Sequence, residues 1–250
     1  MINWESTFSV QDKVILVSGA SSGIGKQLAS DLAETGAKLI VTGRDKHRLR
    51  ETWESLDGEG HRYIVCDLTI EEQLESLVQE LPPLDGFVHC AGVLSICPVS
   101  HSDMEDAKFQ LRVNYLSALS LSQKMLARRL WTYGSSVVFV SSVSARKASK
   151  GFGLYSASKA ALEAFARVLA LEVAGQGIRV NCIAAGMVRT PMYDMAKDLV
   201  TEEAMAEHEK LYPLGFADPH EISPTVMFLL SRAAAKITGT TITIDGGFSL

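Results

Sequence analysis

Val14-Ile15-Leu16-Val17-Ser18-Gly19-Ala20-Ser21-Ser22-Gly23-Ile24-Gly25 joins an uninterrupted apolar run to a glycine-rich turn. Such a run reads as a strand covered on both faces. Beyond the turn, Ile24, Leu28 and Leu32 recur at helical spacing until Gly36 stops the helix, and a second apolar run follows at Leu39-Ile40-Val41. Parallel strands need a crossover, so strand, turn, helix and strand form one βαβ unit. A turn that bare of side chains lets backbone N–H groups approach a pyrophosphate at the helix N-terminus, through Gly19, Ser21, Ser22, Gly23, Ile24 and Gly25.

The alternation continues along the chain. Tyr63–Cys66, Gly86–Cys90, Val137–Val140, Arg179–Ile183 and Thr241–Ile244 read as further strands, giving about seven. Between them, Thr69 and Glu72 form a capping-box pattern ahead of a helix carrying Leu74, Leu77, Val78 and Leu81, which Pro82-Pro83 ends. Long helices are expected near 103–131 and 155–174. Asp218, Pro219 and Glu221 predict another, running to about Ser231. Apolar strands alternating with helices imply an α/β fold: a doubly wound parallel sheet with helices on both faces, in a single domain over 1–250. The segment 187–216, with Met187, Met192, Tyr193 and Met195 ahead of a charged helical stretch, is expected to cover the site.

Composition narrows the function classes. With 29 acidic against 24 basic side chains, the net charge of −5 leaves no footprint for nucleic acid. No apolar run approaches the ~18–20 residues needed to span a bilayer, so no membrane is expected. Cys66, Cys90, Cys97 and Cys182 lack paired metal spacing, as do the six histidines; the expectation is no metal, free thiols and a reducing cytoplasm.

The chemistry is carried by Tyr155 and Lys159, with Ser142 thirteen residues upstream. Positions four apart share a helix face with Cβ atoms about 5–6 Å apart, so the ammonium is expected to lower the phenol pKa from about 10. A phenol so tuned exchanges a proton with a carbonyl or alcohol. Asn114, inside a predicted helix, is unusual because its side chain competes with the helix backbone.

Taken in order, the glycine turn, Asp67, Asn114, Ser142, Tyr155, Lys159, Ile237-Thr238-Gly239 and Asp245-Gly246-Gly247 resemble the short-chain dehydrogenase/reductase family, over nearly the whole chain. The resemblance implies a Rossmann-type fold and an NAD(P)-dependent enzyme that moves hydride between CH–OH and C=O groups. It implies Tyr155 as acid/base, Ser142 as the polarising hydroxyl, and Lys159 on the nicotinamide ribose with a proton relay near Asn114. Asp67 and Leu68 would contact adenine, Ala91 and Gly92 would line the cofactor, and Gly186, Val188 and Thr190 would lie toward the nicotinamide. Two departures stand out: His89-Cys90-Ala91-Gly92 where the family has Asn-Asn-Ala-Gly, and Ala185-Gly186 where it has Pro-Gly.

An acid at the end of the second strand binds a ribose diol, whereas Arg accommodates a 2′-phosphate. Gly43 followed by Arg44 therefore favours NADP(H), with NAD(H) the alternative because Asp45 is next. Arg146, Lys147 and Lys150 would make the mouth of the site positive. The nearest resemblance within the family is to 3-oxoacyl-carrier-protein reductases, implying a β-keto thioester substrate. For an acyl carrier protein partner, Gln176 stands where a base is expected and Arg128-Arg129 would have to compensate. An NAD-dependent dehydrogenase of a sugar, polyol or other hydroxylated metabolite is the competing enzyme reading. A non-enzymatic dinucleotide sensor is disfavoured by the presence of both Tyr155 and Lys159. The family expectation for assembly is a homotetramer.

Overall fold

Seven parallel strands form one sheet in the computed structural model, which describes residues 3–198 and 201–250. They are β1 (Val14–Ser18), β2 (Lys38–Gly43), β3 (Arg62–Val65), β4 (Leu84–His89), β5 (Trp131–Ser142), β6 (Arg179–Ala185) and β7 (Thr241–Ile244), in the order β3-β2-β1-β4-β5-β6-β7. The helices are α1 (Trp4–Phe8), α2 (Gly23–Glu34), α3 (Lys46–Glu54), α4 (Glu71–Glu80), α5 (Met104–Leu111), α6 (Ser117–Ala127), α7 (Gly153–Val173), α8 (Pro191–Lys197), α9 (Glu202–Glu209) and α10 (Pro219–Leu230). None of the described helices is long and apolar enough to cross a membrane.

Period-two alternation sorts each strand between two cores. Leu16, Phe87, Phe139 and Val180 pack under α4, α6 and α7. Their neighbours Ile15, Val17, Val88, Val138 and Ile183 pack under α2 and α10. The strand order reverses between β1 and β4, which opens a crevice at the carboxyl ends of these strands. That crevice holds the glycine turn.

Four local features differ from the sequence expectation. The polar leader contains α1, capped by Asn3, whose side chain accepts from the Ser6 N–H, and Phe8 reaches the Phe228 ring. Charged α3, which the periodicity does not signal, buries only Leu49 and Thr52 and starts at an Asp45 cap. Thr69 does not form its capping box: its hydroxyl donates to Asp67 Oδ1 at 2.7 Å, and α4 starts after Ile70 with no side-chain cap. The stretch 103–131 is not one helix. A π-helical turn at Arg112–Leu116 separates α5 from α6, the chain reverses at Arg129 with φ of 56°, and β5 starts at Trp131. By contrast, α10 opens as expected, with Pro219 in its first turn and Glu221 accepting from the Asp218 N–H at 2.8 Å.

The far end of α10 is closed by cations. Arg179, 8% exposed, donates to the Leu229 and Ser231 carbonyls at 2.7 and 3.0 Å, and Lys13 donates to Leu230 at 2.7 Å. Carbonyls at a helix C-terminus lack intrahelical partners and favour positive charge. Arg179→Met is expected to lower the unfolding free energy by about 2–3 kcal/mol, the scale of lost charge-assisted bonds to buried carbonyls. Urea denaturation checks this, and a loss below about 0.5 kcal/mol, typical of surface substitutions, would contradict it.

Candidate active site and dinucleotide cleft

The crevice is a cavity of about 230 Å³, and the glycine turn forms its floor. Gly19 has a positive φ of 69°, and a Cβ there would stand 2.6 Å from the Ala91 nitrogen, so only glycine permits this approach of the β1 turn to the β4 turn. Gly19, Ser21, Ser22, Gly23, Ile24 and Gly25 all line the cavity, as do Arg44, Asp67, Leu68, Ala91, Gly92 and Thr190. Gly186, Val188, Tyr155 and Lys159 do not. Gly186 is pressed against Asp245 and Tyr212, and Val188 pairs with Ala217.

At one end of the cleft Arg44 is joined by Arg48, which sits on the unsignalled α3. Asp45 is turned into the helix: it accepts from the Arg48 N–H at 3.0 Å and from Arg48 Nε at 2.8 Å, which holds its carboxyl below its ordinary pKa. Asp67 is likewise held by its own loop, accepting from the Thr69 N–H at 2.9 Å.

Behind Gly92, outside the residues that line this cavity, four side chains converge. Tyr155 and Lys159 lie buried on α7, Ser142 ends β5, and Asn114 occupies the π-helical turn. The Ser142 hydroxyl lies close enough to the Tyr155 phenol to act on its ionisation. Lys159 Nζ lies 5.8 Å from the Tyr155 ring centroid and donates to the Val140 carbonyl at 2.8 Å. Asn114 pairs both ways with Val93, accepting from its N–H at 2.7 Å and donating to its carbonyl at 2.9 Å, and it also donates to Ser158 Oγ. That pairing explains an asparagine inside a helix: its amide serves as backbone for the β4 loop. A Cβ on Gly92 would meet both Asn114 Oδ1 and Lys159 Nζ at 3.4 Å.

The electrostatics differ from the expected direction. Burial pushes the Tyr155 phenol up to about 12, and the Ser142 hydrogen bond is the influence pulling it down. Lys159 does not lower it here, because its ammonium is itself desolvated and brought down to about 8.

Residues 19–249 match the Enoyl-(Acyl carrier protein) reductase family profile. The chain belongs to the short-chain dehydrogenase/reductase family. It is 35% identical to mouse 3-oxoacyl-[acyl-carrier-protein] reductase, over 96% of this chain and 99% of that one. It is 32% identical to D-threitol dehydrogenase of Mycolicibacterium smegmatis, over 97% and 95%. Among solved structures, a variant of actinorhodin polyketide ketoreductase with NADPH superposes with a TM-score of 0.88 at 27% identity, covering 95% of this chain and 97% of that one. The protein is thus a dehydrogenase/reductase acting on alcohol or carbonyl groups, in a family that binds NAD(P)(H).

Within the family pattern, the His89 departure is compensated locally. The imidazole is fully buried, with Nδ1 2.8 Å from Ser18 Oγ and Nε2 3.4 Å from Ser117 Oγ. Because Ser117 donates to the Val113 carbonyl, the ring fits as an Nε2–H tautomer that accepts from Ser18. Burial and nearby Lys159 depress its pKa to about 3, so it is a neutral bridge from β1 to the start of α6. Cys90 lines the cleft with its thiol pushed up to about 12, an unreactive state.

The expected positive mouth is largely committed elsewhere. Arg146 pairs with Glu163, and Lys147 donates to the Phe248 carbonyl and lies 3.9 Å over that ring. Met187 and Tyr193 pack on a satellite core of Val143, Met205, Tyr212, Phe216 and Phe248. Met192 lines the dinucleotide cleft, and Met195 is exposed.

Proposed function

We propose that this protein is an NADP(H)-dependent reductase of β-keto substrates, with a 3-oxoacyl thioester as the first candidate. The observation that carries the reading is the grouping of Tyr155, Ser142, Lys159 and Asn114 behind Gly92, which itself lines the glycine-turn cleft. The glycine turn, which a Cβ would obstruct, fits a pyrophosphate. When bound, the dinucleotide supplies the hydride. The chain's own task is to manage the charge that then builds on the carbonyl oxygen. Ser142 donates to that oxygen, and Tyr155 releases its proton to it. With its pKa raised by burial, the phenol holds its proton at neutral pH, the form in which it can act as the acid of a reduction. Lys159 and Asn114 hold the groups behind the phenol, and from the expected lid segment 187–216, of which residues 199 and 200 lie outside those described, Thr190, Pro191 and Met192 line the cleft and would help exclude water.

Arg44 and Arg48 beside an Asp45 occupied by its own helix support a 2′-phosphate pocket. NADPH is expected to raise the melting temperature more than NADH does. Arg44→Ala should weaken NADPH binding at least about tenfold while leaving NADH binding within about twofold, a loss near 1.4 kcal/mol. Stronger protection by NADH would overturn the preference and favour an NAD-linked sugar or polyol dehydrogenase, the reading that the D-threitol dehydrogenase relative supports. Activity on acetoacetyl-coenzyme A, ketones and sugars, followed by loss of reduced-nicotinamide absorbance, tests the substrate class.

The assembly is proposed as a homotetramer, supported by exposed Leu116, Val168 and Leu171 on the α6–α7 side. Residence in the cytoplasm fits four free cysteines. An acyl carrier protein is the weaker partner proposal, resting on Arg128 and Arg129.

A further inference from the structure

Glu163 lies one helical turn beyond Lys159 on α7, and its carboxylate is 4% exposed. A carboxylate this deeply buried must be paired and hydrogen-bonded. Its two oxygens divide the work. Oε1 accepts from Ser141 Oγ at 3.0 Å, while Oε2 accepts from Arg146 Nε at 3.0 Å and Nη2 at 2.9 Å. Ser141 is the residue before Ser142, and Arg146 closes the short 3₁₀ turn Val143–Ala145 that follows it. One carboxylate therefore grips the chain on both sides of Ser142. The Ser142 hydroxyl is also set by that turn, since it accepts from the Ser144 N–H at 3.2 Å.

We propose that the Glu163–Arg146 pair is a positioning device that locks Ser142 against Tyr155. The helix that carries the phenol then also carries the anchor for the serine. This inference rests on the oxidoreductase reading above. Charge-assisted bonds from a planar guanidinium fix orientation as well as distance. The Arg146 side chain is 55% exposed, and an ion pair open to solvent on one side adds little net stability, so geometry is the reason assigned to this one. Misplacing a reacting group by 1 Å can cost about 10²-fold in rate.

The test compares Glu163→Gln, Arg146→Met and Arg146→Lys in the reduction of acetoacetyl-coenzyme A and ethyl acetoacetate with NADPH. Glu163→Gln and Arg146→Met should lower kcat by about 10- to 100-fold. The KM for NADPH should stay within about twofold, and Arg146→Lys should recover part of the loss. The discriminating arm is a double-mutant cycle: in a Ser142→Ala background, Glu163→Gln should have no further effect. An equal loss in both backgrounds, or an unchanged kcat in the single variant, overturns the proposal and leaves the oxidoreductase reading intact. A wild type that reduces no probe sinks that reading instead. In that event crystal structures of wild type and Glu163→Gln still decide the geometry: Ser142 Oγ turned from the Tyr155 hydroxyl supports the device, and an unmoved Ser142 overturns it.

Discussion

Tyr155→Phe is expected to reduce carbonyl turnover by about 10³-fold or more, at the upper range for loss of a general acid. The ring keeps its place, because it is 9% exposed and its edge packs against Phe152, so the substitution deletes one hydroxyl from an otherwise intact wall. Dinucleotide protection against heating should therefore persist. Ser142→Ala should cost about 10²–10³-fold, as removal of one donor to a developing oxyanion does. The two losses should not add, since the two hydroxyls are neighbours and are proposed to address one substrate oxygen. Steady-state kinetics and thermal shift together check this. Turnover in Tyr155→Phe within tenfold of wild type would remove the phenol from the chemistry.

Lys159→Met is expected to make the protein more stable and inactive. The ammonium is brought from 10.5 to about 8 by burial, so between those pH values the unfolded chain holds a proton that the folded chain sheds. Stability accordingly rises with pH through that window, and below about pH 8 the fold carries a buried charge at a cost of about 3 kcal/mol. Methionine removes that cost, along with one bond to the Val140 carbonyl worth about 1 kcal/mol. The net gain near pH 7 should be about 2 kcal/mol by urea denaturation, vanishing above about pH 10.5. Retention of a costly cation that chemistry requires is the expected trade between function and stability. A variant less stable than wild type at both pH 7 and pH 11 would show that Lys159 is structural.

The elements legible in the sequence are those whose signal is local. Val14–Val17 and Val137–Val140 are continuous apolar runs that can only be covered on both faces, and Gly19 announces a turn that tolerates no side chain. Tyr155, Lys159, Ser142 and Asn114 were marked by type and spacing, and the fold brings them together. What escaped depends on partners distant in sequence. The π-helical turn at Asn114 is held by an amide pairing with Val93, twenty-one residues away, which no helical periodicity encodes. Helix α3 buries too few residues to show a stripe, so Arg48 was missed with it. Thr69 fits a capping box by pattern, yet α4 starts one residue later, with Ile70 in the cap position, so the pattern is out of register. The direction of the Tyr155 shift escaped for the same reason. Spacing places the ammonium near the phenol, but burial raises the phenol and also lowers the ammonium, which does not pull the phenol down.

The central claim is that Tyr155 and Ser142 address one substrate oxygen beside the bound dinucleotide. Crystals of the wild type with NADP⁺ and ethyl acetoacetate, a pair that cannot react, test it most directly. The predicted result has the ketone oxygen within about 3 Å of both hydroxyls. A ketone bound elsewhere, or a Tyr155 hydroxyl turned away from it, would contradict the assignment.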